Sequence, residues 1–199
     1  MEYENARKGL NKLFFAVIFL IIGSIADALE FIPEVGLYVF STLEVICALV
    51  NFILELVGLR QAGKDCPQIK TAFKFILLVL VLGFAGEVII VFIPEYTWLR
   101  EVTELIGFVV NLLVTYNVLY GCSVLKPELA EKAKKTWMVY MILIGVDLFS
   151  TIASIVLAGY GIFSVVYALY ILFILFDFAF SVFAYIKYMK FLNIARKVM

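Results

Sequence analysis

Six long apolar stretches separated by short polar breaks dominate the chain: Lys12 to Ile32, Val35 to Leu59, Thr71 to Ile93, Val102 to Leu125, Trp137 to Leu157 and Ile162 to Lys187. A helix needs about 20 mainly apolar residues to cross a hydrocarbon core about 30 Å thick. Lipid offers backbone groups no hydrogen-bond partner, so a spanning segment must satisfy its own. The pattern therefore predicts an all-α integral membrane protein, with six transmembrane helices in a single polytopic membrane domain over residues 1–199. The first stretch is too long and too acidic at its end for a signal-peptide core, and no small-residue cleavage site follows it. It reads as a mature helix.

The four prolines punctuate this pattern at a regular step. Pro33 and Pro94 both sit in Phe-Ile-Pro-Glu, 61 residues apart, and Pro67 and Pro127 both open a helical segment, 60 residues apart. Proline suits a first helical turn, where its missing N–H would be unpaired anyway. Gly23/Gly83, Glu44/Glu104, Asn51/Asn111 and Lys74/Lys134 keep the step of 60, and an acid recurs three times as Asp27, Glu87 and Asp147. A fixed period exposes the building unit. Here it predicts three helical hairpins as a degenerate parallel repeat. The third copy lacks the outer proline, with Ala158 to Gly161 in its place, and carries Ser164 and Ile171 where the others have Glu and Asn.

Composition sharpens the class. The chain is 65% hydrophobic and 16% charged, against about 45–50% and about 25% in soluble domains. That excludes a soluble globular domain, a disordered chain and a basic nucleic-acid binder. The 16 cations and 16 acids cancel in sum, but not in place. Arg7, Lys8 and Lys12, then Arg60, Lys64, Lys70 and Lys74, then Lys126, Lys132, Lys134 and Lys135, then Lys187, Lys190, Arg196 and Lys197 all fall on alternate connections or at the termini. The positive-inside rule puts these clusters on the cytoplasmic side, with both termini cytoplasmic and Arg100 alone outside. Arg100 reads as an outer-surface partner of Glu101 and Glu104. The outer connections are too short for an extracellular domain. Lys-rich, Ile- and Phe-rich usage points to a plasma membrane, that of a bacterial inner membrane.

Ionisable groups inside spans carry the functional signal, because a charge at a helix centre costs about 2.5–3.5 kcal/mol and faces a bundle interior or water. Asp27, Glu44, Glu55, Glu87, Glu104, Asp147 and Asp177 are such groups. Glu44, Ala48, Asn51 and Glu55 follow i, i+4, i+7, i+11, one helical face. Glu104, Phe108, Asn111 and Thr115 repeat it in the fourth span. Asp27, Glu44, Glu87, Glu104 and Asp147 are the candidate ion- or solute-binding groups, with Asn51 and Asn111 orienting. Carboxylates without an intramembrane cation can exchange a proton for a cation or coordinate a hard divalent ion. The identity of any metal stays open, though the absence of histidine and the unpaired spacing of Cys47, Cys66 and Cys122 argue against soft metals.

No Gly-rich phosphate loop, nucleophile elbow or metalloprotease helix occurs, and with no histidine the commonest general base is missing. The expectation is a non-enzyme without cofactor. Gly58 with Ala62, and Gly83 with Gly86, suggest close helix contacts. Tyr185 to Phe191 reads as an interfacial aromatic belt with snorkelling lysines. Two functions fit: binding or transport of a small cation or cationic solute through an acidic bundle interior, or a scaffold or regulatory subunit whose polar residues only specify packing. Partners follow accordingly: the lipid bilayer, a small cation or solute, and a membrane-protein partner or second copy, but no nucleic acid.

Overall fold

Each apolar stretch becomes one helix in the computed structural model: α1 (Glu4–Leu29), α2 (Ser41–Ala62), α3 (Pro67–Phe92), α4 (Trp98–Leu125), α5 (Ala130–Gly159) and α6 (Ser164–Val198). A π-helical turn, Gly36–Phe40, leads into α2, and a 3-10 turn, Pro127–Leu129, leads into α5. The structure describes residues 3–29, 36–93, 98–159 and 164–199, and among these the side chains of 3–29, 38–86, 88–93, 102–103, 106–143, 145–146, 175–176 and 178–199. Among the described residues there is no strand. Four segments, Glu4–Leu29, Tyr38–Ala62, Pro67–Phe92 and Ile106–Leu125, are long and apolar enough to cross a membrane. Much of the expected fifth and sixth spans falls on residues 147–174, outside the described side chains.

Pro67 and Pro127 each occupy the first turn of their helical segment, as their missing N–H favours. Pro33 and Pro94 lie outside the described residues. The helices outrun the apolar stretches at the charged ends: α1 begins at Glu4 instead of Lys12, α5 at Ala130 instead of Trp137, and α6 runs on to Val198. Apolarity marks where lipid would end, whereas Lys, Arg, Glu and Gln continue a helix readily. Neighbouring turns are also clipped by Glu4–Lys8 at 2.5 Å and Glu131–Lys135 at 2.7 Å. The hydrogen bond and charge of Lys135 hold the Glu131 carboxyl below the ordinary glutamate range.

Both termini, the α2–α3 turn and the α4–α5 turn gather at one end. Asp65, in the α2–α3 turn, accepts from Asn5 Nδ2 at 2.9 Å and from the Ala6 backbone N–H at 2.8 Å. A carboxylate thereby caps the start of α1 from a distant turn, where unpaired N–H groups and the helix dipole favour negative charge. The Lys126 ammonium stands 5.4 Å from the Tyr3 ring centroid. Behind these contacts Ala6, Leu10, Leu59, Ala62, Cys66, Ile69, Leu192 and Ala195 form a fully buried core.

Sequential helices pack as hairpins, α1 with α2, α3 with α4 and α5 with α6, and α6 closes back onto α1. The α1–α2 crossing depends on Gly9 and Gly58. A Cβ on Gly9 would meet the Gly58 carbonyl oxygen at 2.5 Å and the Ala62 Cβ at 2.6 Å. At the α3–α4 crossing a Cβ on Gly121 would meet Ile69 Cγ1 at 2.7 Å and Cys66 Sγ at 2.9 Å. The contact suggested by Gly58 and Ala62 is thus present, with Gly9 as its partner. The Gly83/Gly86 pair divides: Gly86 faces Thr103 Cγ2 at 3.1 Å, while Gly83 faces open space.

Candidate functional site

The polar stripe on α2 lines two adjoining cavities. Glu44 and Ala48 lie in the first, of about 140 Å³, together with Phe19, Leu20, Gly23, Ser24 and Asp27 of α1. Asn51 and Glu55 lie in the second, of about 60 Å³, facing Leu13, Ala16, Val17 and Leu20 of α1. Leu20 belongs to both walls. The i, i+4, i+7, i+11 spacing read from the sequence is therefore a continuous lining, because helical periodicity keeps those positions on one face.

The smaller cavity collects polar groups from four helices. Asn111 and Thr115 come from α4, Tyr140 from α5, and Tyr185 and Tyr188 from α6. Asn51 and Asn111 thus share one interior, as their matching positions predict. Thr115 is 4% exposed and Tyr140 and Tyr188 are 6% and 8% exposed, so their oxygens are held inside the bundle. Asn111 lines the cavity while keeping much of its own surface exposed. The Tyr140 and Tyr188 rings meet edge to face, with centroids 5.8 Å apart, which fixes both side chains. Glu55 is the one carboxylate in this wall and accepts no hydrogen bond from any described residue.

Asp27 and Glu44, from α1 and α2, are brought together in the larger cavity. The side chains of Glu87, Glu104, Asp147, Arg100 and Asp177 lie outside the described set. Among the described residues no three of Cys, Asp and Glu converge as a metal-binding group. Cys47, Cys66 and Cys122 are buried free thiols.

The tyrosines are the part of this site that the sequence reading lacks: Tyr140 goes unremarked, and Tyr185 and Tyr188 are misplaced. Tyr185 and Tyr188 fall in the segment expected to be an interfacial belt, yet both line the interior, and Phe191 is 3% exposed. Only the lysines of that segment, Lys187 and Lys190, turn outward as expected. The missed signal is spacing. Tyr185, Tyr188, Leu192 and Ala195 run i, i+3, i+7, i+10, a core face, while Lys187 and Lys190 lie off it.

A cavity of about 60 Å³ exceeds the roughly 10–15 Å³ that one water needs and falls far below the roughly 300–1,000 Å³ of organic-ligand pockets. Its inventory is one carboxylate, two amide carbonyls, a threonine hydroxyl and three phenols. These are hard oxygen donors with a single formal negative charge, a set that suits a small monovalent cation or a proton carried with water. No protein family, curated protein or solved structure matches the chain.

Proposed function

We propose that this protein is a multi-pass plasma-membrane protein that binds and conducts a small inorganic cation through the bundle interior, with Glu55 as its charged ligand. Asn51, Asn111 and Thr115 complete the shell, and Asp27 and Glu44 form the antechamber that adjoins it. The convergence of four helices' oxygen donors on one small cavity around Glu55 carries this reading. Glu55 is half-buried, and a carboxylate drawn into a bundle interior is costly without a counter-charge, which a bound cation would supply. The volume favours an inorganic cation over the organic cationic solute that the sequence also allows. One negative charge favours a monovalent ion or proton over a divalent one.

In this reading both termini are cytoplasmic, since the end that carries them also carries the cation clusters. Glu87, Glu104 and Asp147 extend the acidic interior in the other repeats of a three-hairpin parallel design. No enzymatic role or cofactor is invoked. The rival, a scaffold whose polar residues only set packing, shares the same contacts but requires no ion.

The test is equilibrium cation binding to the purified chain in neutral detergent, with sodium, potassium or lithium titrated against choline. Saturable binding of at least one small cation, lost in Glu55→Gln while helix content is unchanged, supports the reading. Equal behaviour of choline and all three metals overturns it in favour of the scaffold, and retention of binding in Glu55→Gln overturns it by removing Glu55 as the ligand.

A further inference from the structure

Among the described residues, a charged concavity lies away from the candidate cation site, at the end carrying both termini. A pocket of about 510 Å³ is lined by Arg7, Lys8, Asn11 and Lys12 of α1, Gln61 of α2, and Arg196 and Lys197 of α6. Five of its seven lining residues are cationic and none is acidic. Glu4 engages Lys8 and Asp65 is spent on Asn5 and Ala6. Glu4 also lies within the field of Arg7, but among the described residues no carboxylate forms an ion pair with Lys12, Arg196 or Lys197.

The positive-inside rule explains cations at this end but not their convergence. Scattered surface lysines would lower their mutual repulsion by splaying into water. Here two of the cations, Arg196 and Lys12, are held in place. Arg196 donates through Nε and a terminal nitrogen to Asn193 Oδ1, at 3.1 and 2.8 Å, and through its other nitrogen to Asn11 Oδ1. Its guanidinium lies 3.9 Å over the Phe14 ring centroid, and the Lys12 ammonium donates to Gln61 Oε1. Fixing like charges around an open cavity is favourable when an anion fills it, and fixed guanidinium groups suit phosphate oxygens.

The surface beside the pocket continues its geometry. Asn11, Phe15, Ile18, Ile22 and Ile25 follow i, i+4, i+7, i+11, i+14 along α1, and Phe15, Ile22 and Ile25 are exposed. A basic pocket that opens onto an apolar helix face matches a headgroup with an acyl chain beneath it.

We propose that this α1–α6 pocket binds a phosphate-bearing anion, and that the adjoining apolar stripe favours the headgroup of an acidic phospholipid as its source. The site is independent of the cation cavity and stands or falls without it.

The experiment titrates the full chain in neutral detergent with phosphatidylglycerol, phosphatidylcholine or inorganic phosphate, reading bound lipid by native mass spectrometry and thermal midpoint in parallel. Phosphatidylglycerol is expected to bind and raise the midpoint where phosphatidylcholine does not. Arg7→Gln/Lys197→Gln should weaken that affinity roughly 30-fold, at about 1 kcal/mol per cation. Lys64→Gln/Lys135→Gln, which removes two cations outside the pocket, should leave it unchanged. Lys197→Gln alone, at an exposed helix end, reads the same loss in part should the double variant fold poorly. Inorganic phosphate acting alone with the same variant dependence would support the phosphate site and assign it to a free anion. Equal binding of both lipids without a phosphate response, or equal weakening by the two double variants, would overturn the proposal.

Discussion

At the end that carries both termini, Leu10, Leu59, Ile69 and Leu192 are fully buried, whereas towards the far end of α3 Phe84, Val91 and Phe92 are 73%, 74% and 80% exposed. Helix α3 runs through both regions, so the difference lies in what covers it. Near the termini, helices approach closely at Gly9, Gly58 and Gly121 and cover one another. Along α3, large aliphatic and aromatic side chains face outward. In water that would be a costly exposed patch, but in a bilayer lipid tails cover it as well as another helix would. Burial is thus concentrated where the helices meet each other. The polar cavity sits away from the exposed apolar side of α3, against α1, α2, α4, α5 and α6.

The sharpest way to break this contrast is to place one methyl group in each region. Gly9→Ala puts a Cβ 2.5 Å from a backbone oxygen that cannot move without α2. It should destabilise the bundle by about 3 kcal/mol or more, the upper range for overpacking. Gly83→Ala, whose Cβ meets nothing within 4 Å, should be neutral or stabilise by up to about 1 kcal/mol through helix propensity. Thermal unfolding of both variants in detergent checks this, and equal losses would mean that the two regions are packed alike.

A second pair tests burial. Leu192→Ala, at a fully buried position, should cost about 2–5 kcal/mol. Val91→Ala, at a site 74% exposed, should fall within about 0.5 kcal/mol of the parent. The smallest effect concerns the connection between the termini and the α2–α3 turn. Asp65→Ala removes both acceptors at the start of α1 and should cost about 1–2 kcal/mol. Hydrogen exchange should report that loss mainly in the first turns of α1, while α3 beyond Leu77 stays as protected as before.

Helix number and order were legible because lipid-length apolar runs with polar breaks leave few alternatives. The first-turn prolines Pro67 and Pro127 could be placed from one property, their missing N–H. Helix ends were less legible. Lys, Arg and Glu end an apolar stretch without ending a helix, so α1, α5 and α6 extend past the spans read for them. Of the site, the α2 stripe and the meeting of Asn51 with Asn111 followed from periodicity on single helices. The arrival of Tyr140, Tyr185 and Tyr188 did not, because it depends on how α5 and α6 lie against α2, a tertiary fact with no local signature. Tyrosine also serves equally at an interface and in a wet interior, and its lysine neighbours pointed to the wrong one. Glu55 stood in the stripe but outside the chosen acids, because its position on one helix does not show which other helices converge on it.

Glu55 is the charged ligand of the proposed cation path, and ion flux through proteoliposomes tests that most directly. Vesicles holding the full chain should pass a small monovalent cation or protons above the protein-free background, with Glu55→Gln cutting the rate at least tenfold and Lys135→Gln leaving it intact. A parent rate no greater than background, or the same rate in Glu55→Gln as in the parent, would contradict the account.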